Sequence, residues 1–220
     1  MKRTIFFLTL LLILTLSAEG QQSTFLPELT VGGSAGLNFA SVSFSPSRVY
    51  ESKFQGLAFG VVGRWNTEKN LGIQAELNFS QQGWKEKFDG APEYHYSRTI
   101  NYIELPFLTH IYFGSKRVKA FVNMGPKIGY ALSESTDSNL GDATPNKTNT
   151  QHNLALKHNF DWGLCGGPGI ELRTRIGIFA IEGRYFYALG DIFGNSKSDA
   201  FSKSSNQVIS ARVYYLIPIR

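Results

Sequence analysis

Residues Asn101–Gly114 read N-Y-I-E-L-P-F-L-T-H-I-Y-F-G. Taking every second residue sets Ile103, Leu105, Phe107, Thr109, Ile111 and Phe113 apart from Tyr102, Glu104, Pro106, Leu108, His110 and Tyr112. A period of two is that of a β-strand, here with one mainly apolar face and one that admits Glu and His. Pro106 removes a ladder donor in mid-strand, so a bulge or bend beside Glu104 is expected, with both facing the same side.

The same alternation recurs along the chain. Strands are expected over Leu29–Phe44, Gln55–Trp65, Leu71–Trp84, Thr99–Phe113, Lys119–Leu132, Phe160–Leu172, Ile176–Leu189 and Asn206–Ile217, eight in all. Each meets the roughly 9–11 residues that a tilted membrane strand needs. The connections alternate in length. Asn66–Asn70, Gly114–Val118 and Arg173–Arg175 are short; Ser45–Phe54, Lys85–Arg98, Ser133–Asn159 and Gly190–Ser205 are long. Short turns at one end and long loops at the other are the connectivity of an up-and-down outer-membrane barrel, with both termini on the periplasmic, short-turn side. The longest loop, Ser133–Asn159, is rich in Ser, Thr, Asn and Asp and reads as solvated and flexible.

The chain start has a different character. Lys2 and Arg3 precede an apolar run, Ile5–Leu16, and small residues Ala18 and Gly20 stand before Gln21. Residues 1–20 therefore read as a cleaved secretory signal, 21–28 as a short periplasmic segment and 29–220 as the barrel. The formal net charge is +5; without Lys2, Arg3 and Glu19 it is +4, with no basic run of the nucleic-acid-binding kind. The single Cys165 precludes an internal disulfide, so an exported chain must draw its stability from elsewhere.

Periodicity does not say which face is inside. A soluble barrel buries its apolar face, and a membrane barrel reverses this. Three features favour the membrane form. The polar faces carry Arg64, Lys127, Arg173, Arg184 and Arg212 against Glu76, Glu104, Asp161, Glu171 and Glu182, a balance suited to a closed lumen, where a lone charge is costly. The same faces carry Gly32, Gly36, Gly60, Gly72, Gly125, Gly129, Gly163 and Gly167, which leave room for long charged side chains. Trp65, Phe113, Trp162, Tyr187 and Tyr215 sit near strand ends on the apolar face, as interfacial girdles do.

Catalytic chemistry finds little support. His95, His152 and His158 lie in or beside long loops, without Cys or carboxylates at metal-ligand spacing. His110 shares a face with Glu104 but stands roughly 20 Å from it at ~3.3 Å per residue. Ser80, Ser210 and Cys165 are on the polar face, yet no G-x-S-x-G motif accompanies them. No helix is expected after Gly167–Ile170 (GPGI), so it is no phosphate loop. No catalytic, cofactor or metal site is assigned. A barrel enzyme acting on lipid or peptide, and a small passive channel, stand as alternatives to a structural or interaction role.

GSAGLNFA (Gly33–Ala40), LGIQAELNFSQQGW (Leu71–Trp84), YIELPFL (Tyr102–Leu108), FVNMGPKIGYAL (Phe121–Leu132) and IEGRYFYAL (Ile181–Leu189) together resemble the PorT family of outer-membrane β-barrels, typical of Bacteroidetes. The resemblance runs from Leu29 to Ile217. It implies a bacterial outer-membrane location and the barrel fold, not an activity; the family takes its name from a barrel tied to type IX secretion. Contact with outer-membrane lipid, an envelope or secretion-system protein partner and a monomeric barrel are expected beside it, with no cofactor and no nucleic acid. The resemblance also implies that Glu76, Glu104, Pro106, Glu182, Arg184 and Tyr185 carry the barrel network. Barrels of this kind usually end in an aromatic residue that the assembly machinery reads. The last five residues here are Leu216–Arg220, so that role falls to Tyr214 or Tyr215.

Overall fold

Alternation of apolar and polar side chains, with Gly wherever backbones approach closely, drives the chain into nine strands. The computed structural model describes residues 25–46, 49, 51–88, 93–140, 150–195 and 199–219. The strands are β1 (Glu28–Ser45), β2 (Glu51–Ser52), β3 (Phe54–Glu68), β4 (Leu71–Glu86), β5 (His95–Gly114), β6 (Val118–Asn139), β7 (Phe160–Arg173), β8 (Ile178–Ala188) and β9 (Lys203–Ile219). The expected leader, and residues 21–24 of the segment after it, lie outside the described residues.

Each long strand pairs antiparallel with its neighbours in sequence, and β9 returns to β1, so the eight long strands close a ring. The two-residue β2 only extends β4 beyond the wall. The register fixes the barrel's shape. Leu29 faces Trp65, then in turn Ile73, Thr109, Met124, Gly166, Tyr185, Ile209 and finally Phe39, ten residues farther along β1. Eight strands with that stagger tilt by roughly 40°, which leaves an interior just wide enough for side chains to fill.

The faces are inverted relative to a soluble protein. On β3 Val61 is 60% exposed while Arg64 is 1% exposed. Leu57, Phe59 and Trp65 also point outward from β3. Leu57 to Trp65 spans roughly 20 Å along the barrel axis, close to the height of a lipid-facing band. Among the described residues no helix is long and apolar enough to cross a membrane; the strands supply the crossing surface.

Pro106 behaves differently from expectation. The β5–β6 register shift lies at Asn101/Tyr102, not at the proline. Pairing of β4 with β5 lapses between Ala75–Phe107 and Asn78–Glu104, then resumes in unchanged register. Pro126 and Pro168 do the same. Pairing of β5 with β6 lapses between Pro106–Lys127 and Thr109–Met124, and that of β7 with β8 between Gly166–Tyr185 and Gly169–Glu182. A missing N–H removes hydrogen bonds from one ladder only, and the closed ring holds the register that an open edge would let slip.

The start of the longest loop is solvent-exposed, in keeping with its composition, but it is strand and not loop. Through Asn139 it continues β6 and pairs with His95–Asn101 of β5 beyond the membrane band. Residues 141–149 lie outside the described residues.

Candidate functional site

The lumen is filled, and the filling is stacked along the axis. At its centre Arg184, held on β8, donates to both oxygens of Glu76 on β4 at 2.8 and 3.0 Å. It also donates to Glu182 at 2.8 and 3.0 Å, and Tyr214 completes the set through its O–H to Glu182 at 2.7 Å. Arg212 reaches Glu76 at 3.3 Å, while Gln74 and Asn78 donate to its two oxygens. Paired, hydrogen-bonded charges tolerate this burial; any one alone would not.

Toward the short-turn end, Arg64 bonds Glu171 at 2.7 Å and Gln74 at 2.7 Å, and its guanidinium lies over Phe121. Arg173 sits at the rim rather than within the lumen, between Glu171 and Glu28. Nearby, His110 Nδ1 meets Asn123 Oδ1 at 2.7 Å. Toward the long-loop end Lys127 pairs with Glu104 and lies over the Phe186 ring, and Gln82 also donates to Glu104. Asp161 accepts from Asn206 at 2.9 Å and has no cation within ion-pair distance among the described residues.

Above this stack the mouth is closed by an apolar cap. Trp84 is fully buried there against Phe44, Phe193 and Tyr96. Ile192, Phe193 and Phe201 come from the β8–β9 loop and Val49 from the β1–β3 loop. Leu154 and Leu156 come from the returning end of the longest loop. Arg98 ties that segment down, donating to the carbonyls of Gln151 at 3.2 Å and Leu154 at 2.6 Å while lying over Trp84 and Phe193. Beside it Glu86 bonds His152 at 3.1 Å, and the His152 ring stacks on Tyr96. Glu51, opposite Glu86 in the β2–β4 ladder, accepts from the Val42 N–H at 2.9 Å. Burial, with the Glu86 carboxylate adding to it, pushes Glu51 up to about 7.

The residues read as catalytic alternatives do not converge. Ser80 bonds Asn38 and Gln82, and His110 bonds Asn123 instead of Glu104. Cys165 is packed in an apolar layer with Leu108, Phe186 and Val208. Among the described residues no three His, Cys, Asp or Glu side chains are arranged to hold a metal.

A polar, filled interior inside an apolar, strand-built wall calls for comparison with other barrels. A model of the outer membrane protein beta-barrel domain matches residues 20–194. The chain belongs to that family. Its place is the bacterial outer membrane. Solved structures of similar shape include Ail of Yersinia pestis, in complex with the heparin analogue sucrose octasulfate, at 13% identity over 86% of this chain and 99% of that one, TM-score 0.43. Neisserial surface protein A matches at 14% identity over 85% and 96%, TM-score 0.43. The N-terminal barrel of Pseudomonas aeruginosa OprF matches at 8% over 87% and 100%, TM-score 0.32. A search of curated proteins returns no match.

Within this outer-membrane barrel, the ten charges expected from sequence lie on the inner face or at its short-turn rim. The family-pattern residue Tyr185 does not join them: it is on the lipid face, 46% exposed. Tyr214 points into the lumen, which leaves Tyr215 as the outward aromatic of the last strand. Gln74, Asn78, Gln82, Asn123 and Tyr214 complete the network and were not singled out by charge. Their parity marked them, because each sits two, four or six residues from a charged lumen position on its own strand.

Proposed function

We propose that this barrel is a non-catalytic, non-conducting structural or interaction component of the cell envelope, and that Arg64, Glu76, Glu104, Lys127, Asp161, Glu171, Arg173, Glu182, Arg184 and Arg212 form a network whose role is to hold its wall together. The observation that carries this reading is the filled lumen beneath an apolar cap: paired charges occupy the interior and Trp84, Phe193 and Phe201 cover its mouth. Such an arrangement favours a packed interior over an open pore. A monomer suits it, since the ring is complete in one chain. Its working surfaces are then its two ends and its lipid-facing wall.

The family resemblance extends this to a protein partner in type IX secretion. That link rests on the motif pattern alone. Deleting the gene and measuring export of type IX cargo tests it, with crosslinking from the capped end and from the short turns to identify partners. Unchanged export with intact envelope crosslinks would separate a general envelope role from a secretion role.

A further inference from the structure

The exposed charge of the short-turn end is one-sided. Lys69, Lys116, Arg117 and Arg175 are exposed there with only Glu68 beside them, and none has a carboxylate within ion-pair distance among the described residues. Arg173 and Glu28 at this rim neutralise each other. The positive excess that looks scattered in sequence is therefore gathered where the wall meets the periplasmic headgroup layer. The turns that carry it are tight: the Thr174 N–H bonds the Gly177 carbonyl at 2.9 Å, and the Arg173 N–H bonds the Arg117 carbonyl at 2.8 Å. Arg117 and Arg175 thus lie on two adjoining turns joined by that second bond.

Six residues up β8 from these turns, the outer wall is dented. Gly183 faces Ala211 in the β8–β9 ladder, and neither fills the space that large apolar side chains fill elsewhere on the wall. A Cβ added at Gly183 meets nothing within 4 Å. The resulting groove, about 640 Å³, runs from Phe113 and Val122 past Pro168 to Val213. That lies within the roughly 300–1,000 Å³ of small-molecule sites. A second hollow shares Ile170, Ile181 and Val213 with it and continues past Leu172 and Phe179 to the rim. Leu172 and Phe179 face each other two strand positions inside the turn that carries Arg175.

We infer that one anionic phospholipid of the inner leaflet binds here, its acyl chain in the Gly183 groove and its phosphate between Arg117 and Arg175. The groove supplies apolar complementarity and the turns supply charge. The opposite wall provides an internal control. A groove of about 560 Å³ surrounds Gly63, where an added Cβ also meets nothing within 4 Å, but the nearest turn offers Lys69 beside Glu68.

Native mass spectrometry of the purified, full-length barrel released from micelles containing equal phosphatidylglycerol and phosphatidylcholine tests the inference. One phosphatidylglycerol should be retained in several-fold excess over phosphatidylcholine. R117Q/R175Q should abolish the excess, G183F should reduce retention, and G63F should leave it unchanged. Heat-modifiable gel mobility confirms that each variant is folded. Equal retention of the two lipids, equal effects of G183F and G63F, or full displacement by inorganic phosphate alone would each overturn it.

Discussion

Arg184 shares the hub of the lumen network with Glu76. It donates to Glu76, Glu182 and Tyr214, and nothing else on the inner face could reach all three. Arg184→Ala leaves Glu182 without its cation and Glu76 with Arg212 alone. Removing one partner of a buried pair costs about 3–5 kcal/mol, so the urea midpoint of the variant in lipid vesicles should fall well below wild type. A midpoint within error of wild type would show that the network is dispensable. At the cap, Glu51 offers a second residue-scale expectation. Its carboxyl is held at about 7 in the fold, above its unfolded value, so between those two values the folded state binds more protons. Cap stability should be full at pH 4.5 or below and fall as the pH rises through 7, where Glu51 ionises opposite Glu86. Near-ultraviolet circular dichroism of the cap aromatics should follow that change in wild type and stay flat in Glu51→Gln.

The strands tolerate breaks in hydrogen bonding but not intrusion between backbones. Three prolines interrupt ladders without moving any register, because each strand is held on both sides and by the ring. Individual glycines differ in the space around them. A Cβ built at Gly167, on the lumen face of β7, would fall on the carbonyl oxygen of Gly183. At Gly183 itself, on the lipid face, it would meet open space. Gly167→Ala should therefore lose the compact, heat-modifiable band on gels, and Gly183→Ala should keep it. Two variants one strand apart, with the same chemistry, should separate cleanly. Equal mobility in both would place the strand spacing under weaker constraint than the geometry demands. The long loops act as an element too. Arg98 pins residues 150–154 across the mouth through two backbone carbonyls, and the aromatic cap forms only because distant loops meet there.

As a whole molecule, the barrel has a sealed long-loop end, a packed interior and a basic short-turn end. Planar-bilayer recording of the reconstituted protein should give a baseline trace with no unitary steps. Steady conductance in wild type would mean that water threads the charge network. Stability in the membrane does not come from a central hydrophobic core. Outward apolar side chains meet lipid, the ring pairs each long strand on both sides, and the inward charges are ion-paired or, like Asp161, held by a neighbouring amide. Such a molecule suits an anchor or a docking element better than a conduit.

A period of two, eight times over, with short and long connections in strict alternation, determined the number of long strands and their up-and-down order. These follow from local chemistry: side-chain parity is a property of neighbouring residues, and the turns declare themselves by length. The balanced charges on one parity also marked the lumen. What only the tertiary structure decided is which charge meets which. Arg64 finds Glu171, 107 positions away, and Arg184 finds Glu76, 108 away, because the ten-residue stagger sets opposite walls against each other. The same is true of the cap, which no single loop encodes. Asn101–Gly114 shows the division within a single strand. Its alternation identifies the wall it builds, whereas the pairing of Glu104 with Lys127 and Gln82, and of His110 with Asn123, depends on the neighbours that closure brings to it.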